Sequence, residues 1–134
     1  MNPIHHAESS AARYGGVAED YLAIHQWFDE SKAFLPDVRH RALRHHAEGI
    51  FLCERLFGPT VTNSQGRLIP TRWIGEQHVL EDLGWIPTVQ DWLQSMRVAA
   101  WMLRGGRSRP SLHRDDAERR RSPETVAAVN ATGP

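Results

Sequence analysis

Apolar positions recur at helical spacing through most of the first hundred residues. Asn2 is a helix-capping residue type, and Pro3 follows where a missing N–H costs nothing, so a first helix runs to about Tyr14. Gly15-Gly16 ends it. A second helix opens near Ala18-Glu19-Asp20 and reaches about Phe34, with Tyr21, Ile24, Trp27, Phe28 and Ser31 on one stripe. Pro36 separates it from a third and longest helix, Asp37 to Phe57, closed by Gly58-Pro59. Leu43, Ala47, Ile50, Phe51 and Phe57 form the stripe that packs it on the second helix.

The only period-2 signal comes next. Thr60-Val61-Thr62, a polar turn at Asn63-Ser64-Gln65-Gly66, and Arg67-Leu68-Ile69 read as a short hairpin. Pro70 keeps its second strand out of the middle of a larger sheet. A two-stranded ribbon is marginal alone, so it must lean on helices. A fourth helix spans about Ile74 to Leu83, stopped by Gly84, and a fifth runs from Val89 to about Met96. The predicted fold is mainly α: a compact bundle of about five helices with one short β-hairpin between helices 3 and 4.

Composition changes that picture only at the C-terminal end. Every Trp, Phe and Tyr lies at or before Trp101. Residues 1–103 carry nine Lys/Arg against twelve Asp/Glu, whereas 104–134 carry seven Arg against four acids. The expectation is one globular domain over 1–103 and a disordered Arg-rich tail over 104–134, too poor in apolar area to offset its ordering entropy. By charge, the folded part is no nucleic-acid binder, and any such contact would be weak and made by the tail. The lone Cys53 excludes an internal disulfide and fits a reducing compartment. No signal peptide and no membrane span is evident, so a cytoplasmic protein is expected.

The candidate chemistry is imidazole. Seven of the eight histidines fall within the first 78 residues: His5, His6, His25, His40, His45, His46 and His78. Neutral imidazole is the commonest metal ligand. His78 and Asp82 stand at i, i+4 on the fourth helix, with Glu81 at i+3, and His25 and Asp29 repeat the pairing on the second. On a continuous third helix His46 falls at the edge of the apolar stripe, while His45 points elsewhere and takes a supporting or surface position. The predicted ligands of a divalent ion are therefore His6, His25, His46, His78 and Asp82, with Asp29 as an alternative to His6. Arg39 and Arg44 would hold an anionic substrate. Neither the His-Glu-x-x-His motif nor an adjacent His-Asp pair is present. Glu54, on the apolar stripe, is expected to pair with an arginine such as Arg72, and Cys53 to be inert.

Long strings of this chain are also familiar. They are Asp20-Tyr21-Leu22-Ala23-Ile24-His25-Gln26-Trp27-Phe28-Asp29-Glu30-Ser31-Lys32-Ala33, Asp37-Val38-Arg39-His40-Arg41-Ala42-Leu43-Arg44-His45-His46-Ala47-Glu48-Gly49-Ile50-Phe51, and Ile74-Gly75-Glu76-Gln77-His78-Val79 with Glu81-Asp82. Over roughly residues 3–97 the chain resembles an uncharacterised family of short proteins from bacteria and their phages, a domain of unknown function. The resemblance implies a self-contained domain in which His6, His25, His40, His45, His46 and His78 are motif positions and His5 is not. It implies no activity. Two functional expectations follow: a histidine-lined pocket that binds a divalent metal and hydrolyses a phosphoester, or a non-enzymatic accessory protein that binds a host protein.

Overall fold

The computed structural model describes residues 1–105. The expected Arg-rich tail lies outside the described residues, apart from Arg104 and Gly105. Met1–Gln94 form one compact unit, and the chain from Ser95 onward belongs to a second. The described part of the second holds a single 3-10 turn, Ala100–Leu103.

Helix α1 spans Pro3–Tyr14, with the Asn2 side chain accepting from the His5 N–H. It ends at Gly15 and Gly16, both at positive φ, where the backbone conformation favours glycine. The chain returns as α2, Glu19–Asp29, which tightens into a 3-10 turn at Glu30–Ala33. After a 3-10 turn at Val38–His40 come α3, Arg41–Arg44, and α4, Ala47–Phe57. Strands β1, Thr60–Thr62, and β2, Leu68–Pro70, pair antiparallel with Val61 opposite Ile69. Asn63 holds their turn by accepting from the Gln65 and Arg67 N–H groups. Helix α5, Thr71–Leu83, follows directly and packs on α1, α2 and α4. A short α6, Val89–Leu93, is closed at its start by a capping box between Thr88 and Asp91.

One expected element is broken. In place of a continuous helix over 37–57, the chain turns a corner at His45-His46. His46 is fully extended (φ −163°, ψ 171°), and its side chain caps α4 by accepting from the Gly49 N–H at 2.8 Å. Distant residues stitch the corner. The Ala47 N–H donates to the Pro87 carbonyl at 2.8 Å, and Trp92 Nε1 donates to the His45 carbonyl at 2.9 Å. Gly49 is required there, because a Cβ at this position would run into the Arg44 carbonyl.

Helix α5 is the central element, and its buried residues explain why it shows so little amphipathic pattern. Thr71, Ile74, Gly75, Gln77, His78 and Val79 are all buried, so polar and apolar positions both face inward. Gly75 lets it approach closely: a Cβ there would stand 3.2 Å from Phe28 and 3.3 Å from Ile50. Among the described residues, ten apolar side chains are buried and twelve polar or charged ones. The interior is thus a polar network laid against an apolar cluster that includes Tyr21, Phe28, Ile50 and Ile74. Such a network is tolerable only where its members find partners.

Candidate metal centre

Three helices and the corner deliver the polar groups of the cluster. Helix α1 supplies His6, Ser9 and Ser10, and α2 supplies His25 and, one turn later, Asp29. Helix α5 supplies Gln77, His78, Glu81 and Asp82, and the corner before α4 supplies His45. Asp29 Oδ1, His45 Nε2, His78 Nε2 and Asp82 Oδ2 converge. The distances are 2.9 Å for His45–Asp82, 3.2 Å for His78–His45 and 3.3 Å for His78–Asp82. Asp29 Oδ1 lies 3.6 Å from each imidazole nitrogen. A tetrahedral ion with bonds of about 2.0–2.1 Å holds its ligand atoms about 3.3 Å apart, and these five distances, 2.9–3.6 Å, bracket that value. Their side chains are 0–6% exposed.

Hydrogen-bond logic fixes which nitrogen of His78 is the donor atom. The Gln77 amide nitrogen faces two acceptors, the His6 carbonyl and Glu81 Oε1, so its oxygen faces Ser10. Ser10 donates its one proton to that oxygen at 2.8 Å and therefore accepts from His25 Nε2, also at 2.8 Å. Burial pushes His25 down to about 3, so the ring is neutral and its Nδ1 is an acceptor. The partner on Nδ1, 3.0 Å away, is His78 Nδ1, which must then carry the proton. The remaining nitrogen, His78 Nε2, faces two carboxylate oxygens and the His45 Nε2. That arrangement repels itself unless a proton or a metal cation sits at its centre. Asp29 Oδ2 and His45 Nδ1 are buried with no hydrogen-bond partner among the described residues, and the former is placed to complete a bidentate carboxylate.

The second oxygen of Asp82 is held separately. His6 Nε2 lies 3.2 Å from Oδ1, with the Met1 amino group at 3.4 Å and Arg41 Nη2 at 3.8 Å. His6 Nδ1 donates to Glu81 Oε1 at 3.0 Å. Burial opposes charge on His6, but the hydrogen bonds to Asp82 and Glu81 outweigh it and raise its pKa. Burial likewise opposes ionisation of Asp82, yet bonds from His45, His6 and His78 hold that carboxyl far below its ordinary range. Asp29 is lowered against the same penalty by His78. His45 is lowered chiefly by burial, against its hydrogen bond to Asp82. His6, His25 and His78 also bring ring nitrogens within 4.8 Å of one another. There His25 is engaged by Ser10 and His6 by two carboxylates, so these rings orient the ligands beside them.

Of the five residues expected as ligands, His78 and Asp82 enter the four-atom set, and His6 and His25 bond to them from outside. The structure does not bring His46 in, since capping α4 occupies its Nδ1. Asp29 and His45 complete the set. Along one unbroken helix His45 would point outward, whereas the corner turns it into the set; Asp29, expected as an alternative, enters with it. Arg39 and Arg44 are not at the cluster. Arg39 is exposed and bound to Asp37 at 2.7 Å. Arg44 stacks over Trp27, bonds its carbonyl and pairs with Glu30 at 3.1 Å. The arginine that reaches Asp82 is Arg41. Glu54 pairs with Arg72 at 3.2 Å, as expected.

Fold and site together define a small helical domain built round a buried His/Asp cluster able to hold a metal ion. The chain belongs to the family described as Domain of unknown function (DUF6915), which matches residues 1–102. No curated protein and no solved structure matches it. No helix among the described residues is long and apolar enough to cross a membrane.

Proposed function

We propose that this protein binds one divalent metal ion between Asp29, His45, His78 and Asp82. The observation that carries this reading is the convergence of Asp29 Oδ1, His45 Nε2, His78 Nε2 and Asp82 Oδ2, with the Gln77–Ser10–His25 chain fixing a proton on His78 Nδ1 so that Nε2 is the ring nitrogen turned to the other three. Two imidazoles and two carboxylates suit zinc, manganese, iron(II) or cobalt(II), and the two carboxylates balance the ion's charge. A bound ion would lower the pKa of a coordinated water, and phosphoester hydrolysis is the chemistry that would follow. Catalytic sites keep a coordination position open, however, and burial of all four donors favours a closed centre that stabilises the fold. A closed centre is also compatible with a partner-binding role. The outer face of α4 supports that second reading, with Phe51, Leu52 and Leu56 each about half or more exposed.

Elemental analysis of the purified chain, followed by cobalt(II) titration of chelator-treated protein, tests the metal reading. One equivalent of metal and the visible bands of low-coordinate cobalt are expected, both lost in Asp82→Asn and His45→Ala. A folded wild-type protein that takes up none of these ions at micromolar concentration would overturn it.

A further inference from the structure

Among the described residues two arginines lie over aromatic rings, and each is also paired with a carboxylate. Arg44 stands 4.4 Å from the centre of the Trp27 ring and 3.1 Å from Glu30. Arg72 stands 5.0 Å from the centre of the Phe51 ring and 3.2 Å from Glu54. A third set of aromatic and carboxylate groups has no arginine of its own among the described residues. It forms a recess of about 250 Å³ lined by Leu83, Trp85, Pro87, Asp91 and Trp92, with no basic side chain in the lining. Trp85 is 55% exposed, and Trp92 is held in place by the bond from its Nε1 to the His45 carbonyl. Asp91 Oδ2 accepts from the Thr88 N–H and hydroxyl. That leaves Oδ1 without a hydrogen bond, and the carboxylate without an ion pair, among the described residues. The rest of the lining is apolar or aromatic, so a fitting ligand offers a flat face, a positive charge and N–H donors. A guanidinium has all three, and it is more weakly hydrated than the compact ammonium of lysine.

We propose that this recess receives an arginine side chain of a partner protein, its guanidinium laid against the Trp85 and Trp92 indoles and donating to Asp91 Oδ1. Tryptophan and arginine are the residue types that most often anchor protein interfaces. The site goes beyond the metal reading and needs no ion, so either can fail without the other.

The test follows the indole N–H signals of Trp85 and Trp92 by NMR while the full chain is titrated with the blocked peptide acetyl-Gly-Arg-Gly-amide. Saturable shifts of these two signals are expected at millimolar peptide. Affinity should fall by about fivefold or more for the lysine peptide. It should fall further for the citrulline peptide, which keeps the shape of the side chain and loses its charge. Asp91→Asn, which retains an oxygen to cap α6, and Trp85→Ala should each weaken binding by about fivefold or more. Glu8→Gln, an exposed change on α1 that alters the net charge equally, should bind as the wild type does. No shift at millimolar peptide, equal affinity for the citrulline peptide, or unchanged affinity in both recess variants would each overturn the proposal. Tighter binding of free arginine than of the blocked peptide would make the recess a small-molecule site instead. Shifts of the same signals without peptide, on dilution or on replacing the arginines of residues 107–121 by glutamine, would assign the occupant to this chain rather than to a partner protein.

Discussion

Gln77 governs the chemistry of side chains it never touches. Its amide orientation sets the direction of the Ser10 hydroxyl, which sets the His25 tautomer, which places a proton on His78 Nδ1 and turns Nε2 to the cluster. Supporting bonds of this kind are commonly worth 10- to 100-fold in metal affinity, by about the measure known for outer-shell partners. Ser10→Ala removes the acceptor for His25 Nε2 and releases that tautomer. Metal affinity, measured by competition with a chelator of known strength, is expected to fall by at least about tenfold while one equivalent is still bound at saturation. Equal affinity in the variant and the wild type would remove the chain of tautomers from the account. Cys53 belongs to the opposite case. Burial pushes its thiol up to about 12, so it should resist alkylation in the folded protein and react once the chain is unfolded.

At the scale of elements, the informative feature is the corner between α3 and α4. Hydrophobic spacing placed α1, α2, the hairpin, α5 and α6 close to where they fold, because each is bounded by a cap, a glycine or a proline. The corner carries no such mark. His45-His46 breaks the helix through contacts with Pro87 and Trp92, some forty residues away, which no local pattern records. The same break decided the site: it turned His45 inward and made His46 a cap. His78 and Asp82 were legible because both lie on one regular helix, where i, i+4 spacing holds. His46→Ala tests the division of labour, since it should cost about 1 kcal/mol as a lost cap yet leave metal stoichiometry unchanged, with His46→Asn recovering most of the loss. Urea unfolding and metal analysis of the same samples would read both, and loss of the ion in His46→Asn would make His46 a ligand after all. Gly49→Ala should cost about 1–3 kcal/mol by forcing the corner apart, and more than the same change at the exposed Gly66, where positive φ alone penalises it.

For the whole molecule, a polar interior ties stability to pH, and under the metal reading to the ion as well. His25, His40, His45 and His46 all have lowered values, burial being the first cause in each case. Above the unfolded value of about 6.5 these groups are neutral in both states, and their neutral burial adds no penalty. Below it the unfolded chain takes up protons first, so stability falls as pH falls, for His25 down to about 3, at a slope approaching about 1.4 kcal/mol per pH unit for a single group. His6 has the opposite sign, since its raised value makes its contribution full below about 6.5 and lost as pH rises through the folded value. Four groups against one decide the direction. Metal-stripped protein should melt at a lower temperature at pH 5 than at pH 7.5, measured by scanning calorimetry. An ion present at about 100 times its Kd should add about 2.7 kcal/mol at pH 7.5, and less at pH 5, where protons compete for the imidazole nitrogens. A melting temperature that rises on acidification would show that His6 outweighs the other four. One that ignores zinc at pH 7.5 would leave the cluster as a proton-linked network with no ion at its centre.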